Sequence, residues 1–270
     1  MERLNDKIAH KYLFQFSPSL YKLFWARKFG FLNNDFSKME KEVKLLPLFL
    51  HEKAVFVDIG ANLGLYLYWA ERLKVNRVLA VEPIPFLHKK LAKIFPNFLV
   101  KNLALSKDKG KMRLSIPVSA SGLVYTRATL VPTENEQTSY EEVEVETDTL
   151  DNVCSSNNLV PTFIKIDVEG AENWVLESAS KLINEIRPAF MIEIEARSNP
   201  KYDETFGRFF AANYQCFYLD VNSMKVKNFE SLENIQRIED FGTKNYVNNF
   251  IFVPSENTSL INSLIQYELH

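Results

Sequence analysis

The spacing of apolar positions changes along this chain, and the changes mark out its architecture. Over the first fifty residues apolar side chains recur at helical intervals. Ser17 and Pro18 read as an N-cap and first helical position, Arg27 and Lys28 as a basic last turn, and Gly30 as the stop. A second helix is predicted over Ser37 to Leu50, with a stripe through Val43, Leu46 and Leu50. From residue 54 short apolar runs take over. AVFVDIG and RVLAVEP each end in an acid and a turn, and a helical stretch near Leu65 to Leu73 separates them. A helix over Phe86 to Ile94 then leads to FLVKNLALS as a third strand.

Strands alternating with helices predict an α/β fold, a doubly wound and mostly parallel sheet that binds ligands at the carboxyl ends of its strands. Residues 111–147 interrupt the rhythm: RLSIPV and the alternating EEVEVET read as a β-hairpin-like insertion. TFIKIDVEG, a helix in AENWVLESASKLINEI and the strand AFMIEIE restore it. A helix over Asp203 to Ala212 and the strands YQCFYLD and NNFIFVP complete it. The chain thus divides into an N-terminal helical extension, 1–50, packing on a ligand-binding domain, 51–256, and a tail, 257–270.

Composition narrows the function. With 270 residues, 46% hydrophobic and 24% charged, the chain can bury one principal core. A net charge of -2 supplies no field to gather nucleic acid. Cys154 and Cys216 lie too far apart for a zinc motif and suit a reducing cytoplasm. No apolar run reaches the roughly 20 residues of a membrane span, and MERLNDKIAH lacks the apolar core of a secretion signal. The expected location is cytoplasmic. Residues 18–29, with Leu20, Tyr21, Leu23, Phe24 and Trp25 beside Lys22, Arg27 and Lys28, suit packing on the domain or a second subunit, or peripheral contact with the inner membrane face.

The strongest local signal is DIGANLG: Asp58 closes a strand, and Gly60, Ala61, Asn62 and Gly64 form the turn into a helix. Glycine lets backbone approach a nucleoside closely, and Asn62 can enter the left-handed region where glycine is commoner. The spacing is not the G-x-G-x-x-G that holds a dinucleotide pyrophosphate. An acid ahead of the glycines repels phosphate but suits the ammonium end of S-adenosylmethionine. A plain turn that binds nothing is the bland alternative. Glu82, 24 positions on and followed by the strand-stopping Pro83, stands where such folds place an acid for the ribose hydroxyls, whereas a lone strand-end Glu is merely solvated. Asn102 and Ala104 end the third strand where the adenine edge is expected, or are a simple strand end.

FIKIDVEGAE sets Lys165, Asp167 and Glu169 at alternate positions of an apolar strand, and Glu193 and Glu195 make a second alternating pair. Ionisable groups crowded there are costly to desolvate unless they serve a site. The alternative is a Lys-Asp pair with Glu169 and Glu172 favouring the next helix's N-terminus. None of the four histidines falls in a strand-end motif, so a carboxylate is the expected base: Asp167 first, then Glu169, Glu193 and Glu195, with Lys165 orienting or neutralising one of them. Ser121, Tyr125 and Arg127 of the insertion, with Glu195, are the candidates for acceptor contact.

In the order VFVDIGANLGLY, VEP, NLALS, VEVETDTLD, FIKIDVEGAE and RPAFMIEIE, the chain resembles the FkbM family of class I methyltransferases over roughly residues 40–255. The resemblance implies a seven-stranded sheet with a reversed final strand, S-adenosylmethionine as donor, and Asp58, Gly60, Asn62, Gly64 and Glu82 lining its pocket. It also implies O-methylation of a small molecule or glycan, a sugar of a surface polysaccharide being favoured. A magnesium-assisted variant, with Asp167 and Glu193 or Glu195 as ligands, and a non-catalytic donor-binding module are the rival readings.

Overall fold

The computed structural model describes residues 17–28, 40–120, 122–132, 139–233, 235–243 and 245–267. In chain order its elements are α1 (Pro18–Lys28), α2 (Leu46–Phe49), β1 (Val55–Ile59), α3 (Leu65–Arg72), β2 (Arg77–Val81), α4 (Pro85–Ile94), β3 (Leu99–Lys101) and β4 (Ala104–Leu105). The insertion contributes β5 (Gly110–Ser119), β6 (Gly122–Leu123) and β7 (Tyr140–Asp148). Then follow α5 (Leu150–Ser156), β8 (Phe163–Ile166), α6 (Glu172–Glu177), β9 (Ala189–Glu193), α7 (Tyr202–Ala211), β10 (Tyr214–Asp220), β11 (Lys225–Asn228), β12 (Asn249–Pro254) and α8 (Thr258–Gln266).

The main sheet runs β11-β10-β12-β9-β8-β1-β2-β3. From β9 to β3 every pair is parallel, and β12 is reversed between β9 and β10. This is the doubly wound sheet expected, with an eighth strand: β11 folds back on β10 as an antiparallel edge. The chain winds outward from β1 through β2 and β3, then returns to β8 on its other side. The sheet's crevice therefore lies beyond the carboxyl ends of β1, β2 and β8.

Alternation along the strands divides the core between two faces. Phe56, Ala80, Phe163 and Met191 face one side, while Val57, Ile59, Leu79, Ile164 and Ile192 face the other. Phe49 of α2 stacks on Phe163 at 4.4 Å, and α8 buries Ile261 and Leu264 on the same face. The helix α1 packs on α4, with Ala26 buried and Lys22 over the Phe95 ring, while Leu20 and Leu23 stay exposed. Among the described residues no helix is long and apolar enough to cross a membrane.

Several elements depart from the expected ones for local reasons. In place of a continuous second helix to Leu50, a 3-10 turn (Lys41–Leu45) runs into the single turn α2. Pro47 has no N–H and belongs in a first turn, so an α-helix must start beside it; residues 37–39 and Gly30 lie outside the described residues. FLVKNLALS is two strands. Asn102 Nδ2 donates to the carbonyls of Glu82 and Pro83 at 2.9 and 2.8 Å, and past this bend β4 leaves the main sheet to pair with β7. The predicted helix after residue 171 is interrupted at Ser178, and a π-turn (Leu182–Ile186) follows. Asp151 caps it, its two carboxylate oxygens accepting from the N–H groups of Lys181 and Leu182.

Candidate active site

A cavity opens at the crevice, lined by Ile59, Gly60 and Asn62 from the end of β1, Val81, Glu82 and Pro83 from that of β2, and Asp167, Val168 and Glu169 from that of β8. The turn after β1 is held by the Gly60 and Ala61 N–H groups, both donating to the Val81 carbonyl. Gly60 has φ +79°, and a Cβ there would lie 1.8 Å from the Asp167 carbonyl oxygen. Asn62 takes the left-handed conformation at φ +46°.

Two members of the expected donor loop do other work. Gly64 precedes α3, and a Cβ on it would meet Leu91 at 2.8 Å and Phe95 at 3.0 Å, so it makes room for α4 and does not line the cavity. Ala61 is buried away from the cavity wall. Asp58 is also absent from the wall. It precedes Ile59 on the strand and so faces the opposite side of the sheet, opposite Lys165 in the β1–β8 register. There it is 2% exposed, and among the described residues its Oδ2 finds no hydrogen-bond partner. Burial pushes its carboxyl up to about 8, with Lys165 opposing.

Glu82 ties two turns together. Its Oε2 accepts from the Asn62 N–H at 2.7 Å and its Oε1 from the Ile84 N–H at 2.8 Å. Burial raises it to about 7 against these two hydrogen bonds. Each carboxylate oxygen keeps a second lone pair for a ligand hydroxyl. Asn102 lies off the cavity wall and positions the Glu82 and Pro83 carbonyls, whereas Ala104 is on the wall.

The strand β8 stops at Ile166, so Lys165, Asp167 and Glu169 do not share one face. Asp167 and Glu169 line the cavity, but Lys165 is 1% exposed inside the sheet, donating to Asn249 Oδ1 at 3.1 Å and to the Ile166 carbonyl at 3.3 Å. Burial lowers the Lys165 pKa, but Asp167, Glu40, Glu193 and Asp58 outweigh it and keep the ammonium charged. Lys165 is therefore a buried countercharge, out of reach of a ligand in the cavity. Glu193 ends β9 and also lies off the wall, accepting from Asn248 Nδ2 at 2.5 Å. Burial and then the Asp167 charge raise Glu193 well above the ordinary range, and its side chain hydrogen-bonds Asp167. Asp167 is itself raised by burial, with Lys165 opposing. Asp167 and Glu193 are thus two buried carboxyls side by side, both held above their ordinary range, and Asp167 is the one that lines the cavity. Glu169 is pushed up to about 8, first by burial and then by Asp167, Glu195 and Glu172, against the charge of Arg127.

The insertion supplies Leu114, Tyr125, Thr126, Ala128 and Leu130 to the same cavity. Tyr125, expected to contact the acceptor, lines this cavity. Arg127 is not on the wall and acts on Glu169 only by charge. Glu195 lies past the end of β9, with its carboxylate held by Arg197 at 2.6 Å. Ser121 is outside the described residues. The apolar wall residues Ile84, Leu105, Leu114 and Ala171 escaped the sequence reading because nothing distinguishes them from core. Also unforeseen was the contact of Glu40 with Tyr66, whose hydroxyl donates to Glu40 Oε2 at 2.5 Å. Among the described residues no group of three or more His, Cys, Asp or Glu is set to hold a metal ion.

So many raised carboxyls give stability a definite pH dependence. Glu42, Glu82 and Glu172 stand at about 7 and Asp58 and Glu169 at about 8, whereas the unfolded chain releases these protons near 4 to 4.5. Folding stability is therefore full below the unfolded values and is lost as the pH rises through the folded ones. Urea midpoints of the ligand-free protein are expected to fall from pH 5 to pH 8. Glu42, 7% exposed, does not line this cavity. Glu42→Gln should remove roughly 3 kcal/mol of that fall, at about 1.4 kcal/mol per pKa unit. A flat profile in both proteins would show that these groups are ionised when folded.

The family model described as the FkbM methyltransferase domain matches residues 58–236. No curated protein sequence matches the chain. Among solved structures it is similar to the methyltransferase FkbM from Methylobacillus flagellatus KT, at 16% identity and a TM-score of 0.48, over 92% of this chain and 59% of that one. It therefore spans about three fifths of that protein's length. It is also similar to a TehB-like SAM-dependent methyltransferase from Corynebacterium glutamicum, at 11% identity and a TM-score of 0.43, over 88% of this chain and 97% of that one. A third similar structure is the O-methyltransferase from Bacillus cereus in complex with SAH, at 11% identity and a TM-score of 0.39, over 91% of this chain and 96% of that one.

Proposed function

Because the chain belongs to the FkbM methyltransferase family, we propose that it transfers a methyl group from S-adenosylmethionine to a hydroxyl oxygen of a small molecule or glycan, a sugar of a surface polysaccharide being the favoured class. One observation carries this reading: a single cavity joins the Gly60–Asn62 turn and Glu82 to Asp167 and Glu169. The residues fit the donor. The Gly60–Asn62 turn brings bare backbone to the cavity, and Glu82 has lone pairs for two ribose hydroxyls.

Bound there, S-adenosylmethionine supplies a methyl carbon already activated by its sulfonium. The chain's remaining task is to hold an acceptor oxygen in line and take its proton. Asp167 is the acceptor of that proton. Burial raises its pKa above the ordinary carboxylate range, which strengthens it as a base, and the Glu193 side chain hydrogen-bonds it. Glu169, held at about 8, stays mostly protonated at neutral pH and can donate to an acceptor oxygen.

The test is to incubate the protein with S-adenosylmethionine and a panel of sugars and other polyols, following S-adenosylhomocysteine release and acceptor mass. The expected result is stoichiometric product and an acceptor heavier by one methylene, on oxygen. Donor binding with no product from any hydroxylated acceptor would replace the enzyme with a donor-binding module.

A further inference from the structure

The insertion between β4 and α5 was expected to meet the acceptor, but its anchoring points elsewhere. Its strand β7 pairs with β4, matching Ala104 to Thr147 and Leu105 to Asp148, and both β4 residues line the cavity. Leu114 of β5 and Leu130, 2% and 7% exposed, pack with Ile84, Leu87, Ala104 and Ala171 in a small core of their own. Tyr125 begins the 3-10 turn Tyr125–Arg127 and meets Phe86 of α4 edge to face, with ring centroids 4.7 Å apart at 70°. Apart from Thr126, the cavity's polar side chains thus come from the ends of β1, β2 and β8, whereas its apolar and aromatic surface comes largely from the insertion and the segments it packs on.

We propose that the insertion is the purine clasp of the donor site: Leu114 and Leu130 form a flat apolar wall, and Tyr125, steadied by Phe86, covers the base. The proposal rests on the methyltransferase reading and moves Tyr125 from the acceptor to the donor. An apolar slot closed by an aromatic ring suits a purine, which has two flat faces to desolvate. A polyhydroxylated sugar buried there would leave hydroxyls unpaired against Leu114 and Leu130. The insertion then sets donor affinity, and acceptor choice falls to the Asp167 and Glu169 side of the cavity.

Calorimetric titration with S-adenosylhomocysteine tests this. Tyr125→Ala is expected to weaken binding about tenfold, the usual scale for losing an aromatic platform under a base, and Tyr125→Phe to stay within about twofold of wild type because only the ring is used. Phe86→Ala should weaken binding through Tyr125, so that adding it to Tyr125→Ala costs nothing more. Val118→Ala, exposed on the same hairpin, should leave affinity unchanged. Unaltered affinity in Tyr125→Ala would overturn the clasp while leaving the donor site intact. A wild-type protein that binds no S-adenosylhomocysteine would instead defeat the methyltransferase reading itself.

Discussion

Gly60→Ala is expected to destabilise the folded chain by about 3–5 kcal/mol and to abolish measurable binding of S-adenosylhomocysteine. Two costs combine. At φ +79° an L side chain is strained, and the new Cβ would lie 1.8 Å from the Asp167 carbonyl oxygen, so one of two strand-end turns has to move. The turns cannot separate freely, because the Gly60 N–H is bonded to the Val81 carbonyl and the Asp167 N–H to that of Ile59, at 3.0 and 2.9 Å. Gly242 provides a matched comparison: its φ is +76° and nothing lies within 4 Å of its Cβ position. Gly242→Ala should lose only the conformational part, about 1–2 kcal/mol, with donor affinity intact. Equal losses in the two variants, measured by urea unfolding, would mean that the turns do not touch as described.

The second large effect is on turnover. Asp167→Asn is expected to slow methyl transfer by a factor of about 10²–10⁴, the ordinary contribution of a positioned base, while changing S-adenosylhomocysteine affinity by less than about threefold. Asparagine keeps the backbone contact with Gly60, the N–H bond to the Ile59 carbonyl and a side chain that can hydrogen-bond Glu193, so the site should survive. Only the proton acceptor is lost. Single-turnover rates with a saturating acceptor separate this from weakened binding. If Asp167→Asn turns over like wild type and Glu169→Gln does not, the base is Glu169, and Glu193 then serves only the buried charge cluster.

The sheet and the turn after β1 were legible because their signals are local, whereas the reversed strand came only with the family resemblance. The period of apolar residues separates strand from helix within a few positions. Asp-Ile-Gly-Ala-Asn-Leu-Gly announces a turn through residues able to take positive φ, and Asn62 takes it. Glu82 was legible from its spacing alone, and Asp167 from the cost of placing an acid at the end of an apolar strand. The FkbM pattern added order to these signals without adding geometry.

What the tertiary structure alone decided was which neighbour each of these residues meets. Asp58 and Ile59 are adjacent in the chain, but the pleat sends Ile59 to the cavity and Asp58 beneath it. Strand β8 ends one residue before Asp167, so Lys165 becomes a buried countercharge while Asp167 reaches the cavity. Gly64 serves Leu91 and Phe95 of a helix more than twenty residues away, and the insertion closes the cavity because β7 pairs with β4. Contacts of this kind depend on strand order and register, and these are set when the faces of the whole sheet are buried together. The amino-acid sequence alone determined the fold class, the family and the tight turn after β1, because periodicity and turn conformation are properties of short segments. The assignment of each acid and of the insertion to wall, core or countercharge waited on packing between segments far apart in the chain.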